Sequence, residues 1–320
     1  MTEQEQLIRL ITDEADAVLA ILDRRRQGTP LDESDWRRLF DSEGYRRLAQ
    51  REEAMNVPVT DGEFQAFCLS DKPLQELPEL RDSLQQYASL DLGSLTEEAT
   101  AYLPPEASLH GTIYPVIKSR SNSFVFELTT NPAMFMALKP GERREKLENT
   151  LIHELHHWGM ASLDDANLDP ESLEPSERPH AFAKYIIGAF GEGFAMLAAA
   201  GGPDVHPHET SETEERDRWD QSMEGFDDDL KSVERYLLDV LDGTYESREA
   251  LIKAAMPFFG IQGPWYTVGW KMAQMVEERR GRDVLFECMR DPRKLLSRYN
   301  EVADSSIAWS DGLLERLGTE

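Results

Sequence analysis

The feature that most constrains this chain is the segment 150–159, which carries a helical pattern of apolar and polar side chains. Leu147, Leu151, Leu155 and Trp158 recur at intervals of four, four and three residues and therefore share one face of an α-helix. The segment predicts a helix whose apolar face anchors it in a core and whose opposite face carries polar side chains.

The polar face contains the pattern His153-Glu154-x-x-His157. Two imidazoles four residues apart point in the same direction, so both can reach one Zn²⁺ at about 2.0–2.1 Å, with Glu154 beside them as general base for a water molecule. The same pentapeptide occurs by chance in long proteins, where its histidines bond to carbonyls or carboxylates in a core. Both interpretations stay open, and a zinc site requires a third ligand.

Glu192 is the candidate for that third ligand. It lies in the apolar segment 180–200, which predicts a helix, and its neighbours Gly188, Ala189 and Ala195 are small enough for another helix to approach closely. A carboxylate inside an apolar helix is costly unless it meets a cation or becomes protonated. A metal ion removes that cost; pairing with Arg or Lys, or protonation, is the alternative.

Two further side chains are candidates for supporting roles. Tyr266 stands at the start of a predicted helix and could donate a hydrogen bond to a developing oxyanion, although such a tyrosine is more often a packing residue. His156 lies about 60° from His153 around the helix, so we expect it to support a neighbour or face the surface rather than bind the metal. His206 and His208 could form a second metal site, but their acidic surroundings favour a solvated connection.

The rest of the sequence predicts an α+β protein that is predominantly α-helical. Residues 5–26 predict an amphipathic helix, and apolar residues from 219 to 240 predict a long one. The clearest strand signals are 112–117 and 123–129, which we expect to form a small antiparallel hairpin. Pro115 cannot donate a ladder hydrogen bond and places the first strand at an edge, where a peptide could add as a strand or the hairpin could simply cover the core.

We divide the chain into an N-terminal helical region, 1–105, and a metal-binding catalytic region, 106–320, which could also form one continuous domain. Cys68 and Cys288 are far apart in apolar surroundings and are predicted to be buried thiols. The apolar segment 186–202 is shorter than the roughly 20 residues a bilayer requires, which favours a buried helix and no membrane contact.

The charge is strongly acidic, with 61 Asp and Glu against 34 Lys and Arg and a net charge of −27. Nucleic acid is therefore not expected as a partner, because phosphate binding needs a basic face. The first residues lack the basic start and apolar run of a secretory signal, so the expected location is cytoplasmic.

The pairing of His153-Glu154-x-x-His157 with Gly191-Glu192-Gly193-Phe-Ala resembles the gluzincin group of zinc metallopeptidases, in which a downstream helix supplies a glutamate ligand. The layout is also similar to uncharacterised bacterial families described as zinc-dependent peptidases, which carry a Tyr-x-x-Gly helix near the end. The resemblance implies a zincin-like fold, one Zn²⁺ held by His153, His157 and Glu192, and hydrolysis of peptide or protein substrates.

The resemblance has limits. The spacing from His157 to Glu192 is longer than in the best-known gluzincins, and no motif for recognising a substrate amine is present, so aminopeptidase specificity is not implied. Met160 and Leu163 exclude the metzincin pattern, whereas Asp164 and Asp165 offer an aspzincin-like arrangement that ranks behind Glu192. A zinc hydrolase of non-peptide amides and an inactive, metal-stabilised binding module remain as alternatives.

Overall fold

The computed structural model describes residues 8–120, 122–128, 130–163 and 170–318. These residues are predominantly helical with a small mixed sheet, which confirms the predicted α+β class. In chain order the helices and strands are β1 (Ile8–Leu10), α1 (Asp13–Arg26), α2 (Glu33–Phe40), α3 (Glu43–Ala54), α4 (Asp61–Leu69), α5 (Asp71–Gln75), α6 (Leu77–Ala88), α7 (Leu92–Thr100), β2 (Gly111–Val116), β3 (Phe124–Phe126), β4 (Ala133–Ala137), α8 (Arg144–Ala161), α9 (Arg178–Ile187), α10 (Gly191–Ala200), α11 (Thr213–Glu224), α12 (Phe226–Leu241), α13 (Arg248–Phe259), α14 (Pro264–Arg280), α15 (Arg282–Arg290), α16 (Arg293–Asn300) and α17 (Asp311–Leu317). Short 3-10 turns occupy Pro170–Ser172, Gly188–Phe190 and Ser305–Ile307.

The chain forms two compact units. The first comprises the residues up to Gly93 together with Leu109–Leu147, and the second comprises Ser94–Ser108 together with the chain from Glu148 onward. Each unit therefore consists of two segments that are separate in sequence. The division into functional regions at residue 105 stays a prediction.

The sheet of the first unit has the strand order β1-β2-β4-β3. β2 pairs in parallel with both β1 and β4, whereas β3 pairs antiparallel with β4. The predicted hairpin between 112–117 and 123–129 is therefore wrong, because β4 lies between its two strands. The sequence of β4 is Ala-Met-Phe-Met-Ala, all buried, which neither alternates nor contains β-branched residues.

β2 is an inner strand, contrary to the edge position predicted from Pro115. β1 pairs with it only as far as Ile113, so β1 ends before Pro115 is reached. The N–H of Thr112 donates to the Pro132 carbonyl on the β4 side at 2.9 Å. Because successive N–H groups alternate in direction, position 115 faces the β1 side, where no ladder bond is lost. The predicted peptide-binding edge is therefore not formed by β2.

The helix predicted over residues 5–26 is wrong in its first part. Ile8 and Leu10 belong to β1, and the helix α1 begins at Asp13; Leu7 lies outside the described residues. A short apolar stretch is compatible with the periodicity of either a helix or a strand. Here the residues form a strand because they pair with β2. Within the first unit, α1 contacts α2, α3, α4, α6 and β2 and so forms its centre.

In the second unit, α14 is the central helix and contacts α10, α12, α13, α15 and α16. The predicted long helix over 219–240 is divided by a break at Gly225 into α11 and α12. Cys68 and Cys288 are buried free thiols, as predicted.

The stretch from Arg178 to Ala200 is long and apolar enough to cross a membrane by length and composition alone. However, 61% of its most apolar window is buried within the protein. Phe182, Ile186, Phe190 and Phe194 of this stretch belong to the core of the second unit, which accounts for its apolar composition. The predicted buried helix is confirmed, with a 3-10 turn at Gly188–Phe190 inside it.

Candidate metal centre

Helix α8 presents His153 and His157 on the side opposite its apolar face, and Glu154 is partly exposed and close enough to His157 to affect its charge. Leu151 and Leu155 are fully buried and Trp158 is 2% exposed, so the predicted anchor is present. The two histidine side chains are partly exposed, at 15% and 23% of their surface. The amphipathic pattern of the sequence therefore predicts which side of α8 presents the two histidines.

Three side-chain atoms converge beside this helix. The Nε2 atoms of His153 and His157 are 3.1 Å apart, and each lies 3.2 Å from Oε2 of Glu192. In a tetrahedral zinc site with ligand bonds of about 2.0–2.1 Å, adjacent ligand atoms are roughly 3.3 Å apart. The triangle formed by the three residues therefore has the dimensions of one face of such a site.

The electrostatics of the triangle also suit a cation. Burial disfavours the charged form of His157, but the Glu192 carboxylate outweighs burial and raises the pKa of His157 to about 9. Burial likewise opposes ionisation of Glu192, yet His157 and His153 hold its pKa well below the usual range. The carboxylate is thus ionised in a partly dry setting, where it attracts positive charge. Two imidazoles and one carboxylate form a donor set that zinc accepts.

The 3-10 turn before α10 affects the direction in which the Glu192 side chain points. This turn comprises Gly188–Phe190. A 3-10 helix has 3.0 residues per turn and an α-helix 3.6, so each residue of the turn adds about 20° of rotation. Over three residues, the helix that follows is rotated by about 60° relative to a continuous α-helix. The sequence indicated a single helix over 180–200 and did not reveal this turn. The small residues around Glu192 were visible in the sequence; the direction of its side chain was not.

Tyr266 is placed at the site by contact between two glycines. A Cβ atom added to Gly193 would lie 2.1 Å from the backbone carbon of Gly269 and 2.2 Å from the nitrogen of Trp270. Helices α10 and α14 therefore touch backbone to backbone one residue after Glu192 and one turn after Tyr266. This packing was not apparent from the sequence, although both glycines stood beside the candidate residues.

The ring of Tyr266 stacks on the ring of His153, with centroids 6.4 Å apart and planes inclined by 11°. Burial and the neighbouring Glu192 carboxylate raise the pKa of Tyr266 well above its usual range. The hydroxyl therefore keeps its proton and is a hydrogen-bond donor that interacts with the Glu192 carboxylate.

His156 faces away from the triangle. It is fully buried, and its Nε2–H donates to the carbonyl of Tyr102 at 3.0 Å. Burial lowers its pKa to about 3, so the ring is neutral and holds α8 against the segment containing Tyr102. One turn further along, a Cβ on Gly159 would lie 2.1 Å from a methyl carbon of Leu103. Nothing in the sequence marked the segment 102–103 as a support for the site.

The other predicted sites are placed as follows. His206 bonds to Asp220 at 2.9 Å, and the ring nitrogens of His208 contact Ser211 and Gln262. Among the described residues, the group of potential metal ligands is His153, His157 and Glu192, whose ligand atoms lie within 4.8 Å of one another. His206 and His208 do not belong to this group. Asp164 and Asp165 lie outside the described residues.

Comparison with known protein families is consistent with this geometry. The model of a family described as "Putative zinc dependent peptidase (DUF5700)" matches residues 36–307. The chain belongs to this family. The matched range includes the three converging residues as well as Glu154 and Tyr266. Neither a curated protein nor a solved structure matches the chain.

Proposed function

We propose that this member of the family is a gluzincin-like metallopeptidase that holds one Zn²⁺ with His153, His157 and Glu192. The observation that carries the proposal is the triangle of 3.1 and 3.2 Å between the three ligand atoms. The family description supports zinc dependence, and the ionised Glu192 carboxylate between two imidazoles supports the ligand set.

In this proposal, Glu154 and Tyr266 take part in peptide-bond hydrolysis and His156 supports the helix that carries the ligands. Zinc, when bound, supplies a Lewis acid that polarises the scissile carbonyl and makes water a stronger acid. Glu154, beside His153 on α8, accepts the proton of the attacking water and passes it to the leaving amine. Tyr266 donates its hydroxyl proton in a hydrogen bond to the developing oxyanion, which its raised pKa permits. His156 keeps α8 in position through the Tyr102 carbonyl.

The proposal is tested by digestion of a peptide library with the zinc-loaded protein, with and without chelator. We expect cleavage that the chelator abolishes and that Glu154→Gln lowers by at least about 100-fold, the range typical of a lost general base. Zinc content should be unchanged in this variant, since Glu154 is not a ligand.

Other outcomes would point to other functions. Unchanged turnover in Glu154→Gln would remove Glu154 from the mechanism. Full zinc occupancy without cleavage of any peptide would contradict peptidase activity; hydrolysis of non-peptide amides by the same preparation would then indicate an amidase. A metal-stabilised binding module would hydrolyse neither.

A further inference from the structure

The first unit contains a pocket of about 370 Å³ between α3, α4 and the residues that follow β2. Its wall is aromatic. The ring of Tyr45 meets that of Phe64 edge to face with centroids 5.1 Å apart, and Phe64 meets Phe67 in the same way at 5.9 Å. Tyr45 is further fixed because its hydroxyl donates to Asp61 at 2.6 Å. The wall is therefore rigid without a ligand.

Apolar side chains also remain uncovered at the rim of this pocket. Val57 and Val59, in the connection between α3 and α4, are 42% and 41% exposed. Exposed apolar side chains are ordinary when they are single, but here two of them adjoin an aromatic wall. The pocket thus offers apolar side chains to a ligand both on its wall and at its rim.

The acidic groups that line the pocket already have partners within the protein. The Glu63 carboxylate accepts hydrogen bonds from the Thr60 N–H at 2.9 Å and from its hydroxyl at 2.8 Å. Glu52 is 8% exposed and lies 3.5 Å from the Arg51 guanidinium. Neither carboxylate therefore needs a cation from a ligand.

The two basic side chains that line the pocket, Lys118 and Arg120, have no such partners of opposite charge within the described part of the chain. The half-buried Lys118 ammonium donates to two neutral acceptors, the Arg120 carbonyl at 2.7 Å and Asn122 Oδ1 at 2.6 Å. No carboxylate among the described residues comes within ion-pair distance of Lys118, and the exposed Arg120 guanidinium has no bonded partner among them. In a chain of net charge −27, this pocket therefore presents two cations that form no ion pair with a described carboxylate.

The Arg51 guanidinium, which pairs with Glu52, also lies near Lys118. Arg51 lies 3.7 Å from the centroid of the Phe124 ring, and Lys118 lies 4.9 Å from the same centroid. Burial lowers the pKa of Lys118 to about 8; Glu52 opposes this shift, and Arg51 and Arg120 add to it. An anion bound at Lys118 would stabilise the charged ammonium against the cost of its burial and against repulsion by Arg51 and Arg120.

We propose that this pocket binds a carboxylate attached to an apolar group, with Lys118 and Arg120 holding the carboxylate and Phe64, Phe67 and Val57 covering the apolar part. Its volume is near the lower end of small-molecule sites, about 300–1,000 Å³, and suits roughly one or two amino-acid residues. The same chemistry is offered by the C-terminus of a peptide and by a small aliphatic acid. The proposal does not depend on peptidase activity.

Isothermal titration calorimetry of the full-length protein tests this site with three probes: N-acetyl-alanyl-leucine, its C-terminal amide, and octanoate. We expect the peptide acid to bind at least about tenfold more tightly than the amide, because a hydrogen bond to a charged group is lost in the amide. Octanoate binding as tightly as the peptide acid would assign the site to aliphatic acids, whereas weaker octanoate binding would assign it to peptide C-termini.

Variants separate the pocket from any carboxylate binding elsewhere. Lys118→Gln should weaken the peptide acid about tenfold and leave the amide unchanged, while Lys72→Gln, which alters an exposed lysine of the same unit outside the pocket lining, should change neither. Ala49→Phe, which fills the pocket, should weaken both probes without lowering the melting temperature by more than a few degrees. Three outcomes would overturn the proposal: the acid and the amide bind equally tightly, neither binds at millimolar concentration, or Lys118→Gln does not change the affinity for the acid.

Discussion

Glu192 is the residue on which the candidate metal centre depends most directly, because its Oε2 is 3.2 Å from both imidazole nitrogens. Replacing it with alanine should lower zinc affinity by more than the roughly 10–100-fold that loss of a mere supporting hydrogen bond costs. Competition with a chromophoric chelator measures this affinity. Glu278→Ala, which removes an exposed carboxylate of α14, serves as control and should bind zinc like the parent protein. Equal zinc affinity in Glu192→Ala would show that another group completes the site.

Glu14 is the residue whose ionisation should matter most for stability. It is 1% exposed, its Oε2 accepts the Ile117 N–H at 3.0 Å, and its Oε1 has no hydrogen-bond partner among the described residues. Burial raises its pKa from 4.5 to about 8, against the opposing effect of that hydrogen bond. The pKa of Glu14 is higher in the folded state than in the unfolded state. Its contribution to the free energy of unfolding is therefore fully present below pH 4.5 and is lost as the pH rises to about 8.

Glu14→Gln keeps an acceptor for the Ile117 N–H and removes the ionisable group. The variant should therefore gain stability relative to the parent as pH rises, by at most about 1.4 kcal/mol per pH unit between pH 5 and 8. Near pH 4 the two proteins should melt at similar temperatures. Thermal unfolding of both proteins across this pH range measures the difference; a difference that does not grow with pH would mean that Glu14 is ionised in the folded state.

At the scale of elements, the packing of α10 on α14 positions the chemistry. Gly191 and Gly193 flank Glu192. An added Cβ at Gly193 would meet the backbone of α14, whereas one at Gly191 would meet no atom of another described segment within 4 Å. Gly193→Ala should separate the helices, cost about 1–3 kcal/mol and weaken zinc binding, because Glu192 moves with its helix. Gly191→Ala should bind zinc normally and be equally or slightly more stable. Calorimetric melting and chelator competition on both variants compare them; normal zinc affinity in Gly193→Ala would contradict this role.

The elements also show what the sequence can and cannot reveal. The helix α8 and its three polar residues were predictable because one local pattern specifies both the buried face and the presented face. Glu192 was predictable because an isolated carboxylate in an apolar helix requires a partner. The order of the strands was not, since β4 carries no strand signal and its place between β2 and β3 is set by pairing over a distance. The support of α8 by Tyr102 and Leu103 is likewise a contact between segments remote in sequence.

At the scale of the whole molecule, the net charge of −27 affects how a substrate arrives. A strongly negative protein attracts cationic peptides and repels anionic ones, and the attraction weakens as salt shortens the screening length from about 30 Å at 0.01 M to about 8 Å at 0.15 M. If the chain hydrolyses peptides as proposed, kcat/KM for a lysine-rich substrate should fall several-fold, up to about tenfold, over this range of salt. A substrate with lysines replaced by glutamine and cleaved at the same bond provides the control and should change little. An equal salt dependence for both peptides would show that the charge does not steer substrates and serves solubility alone.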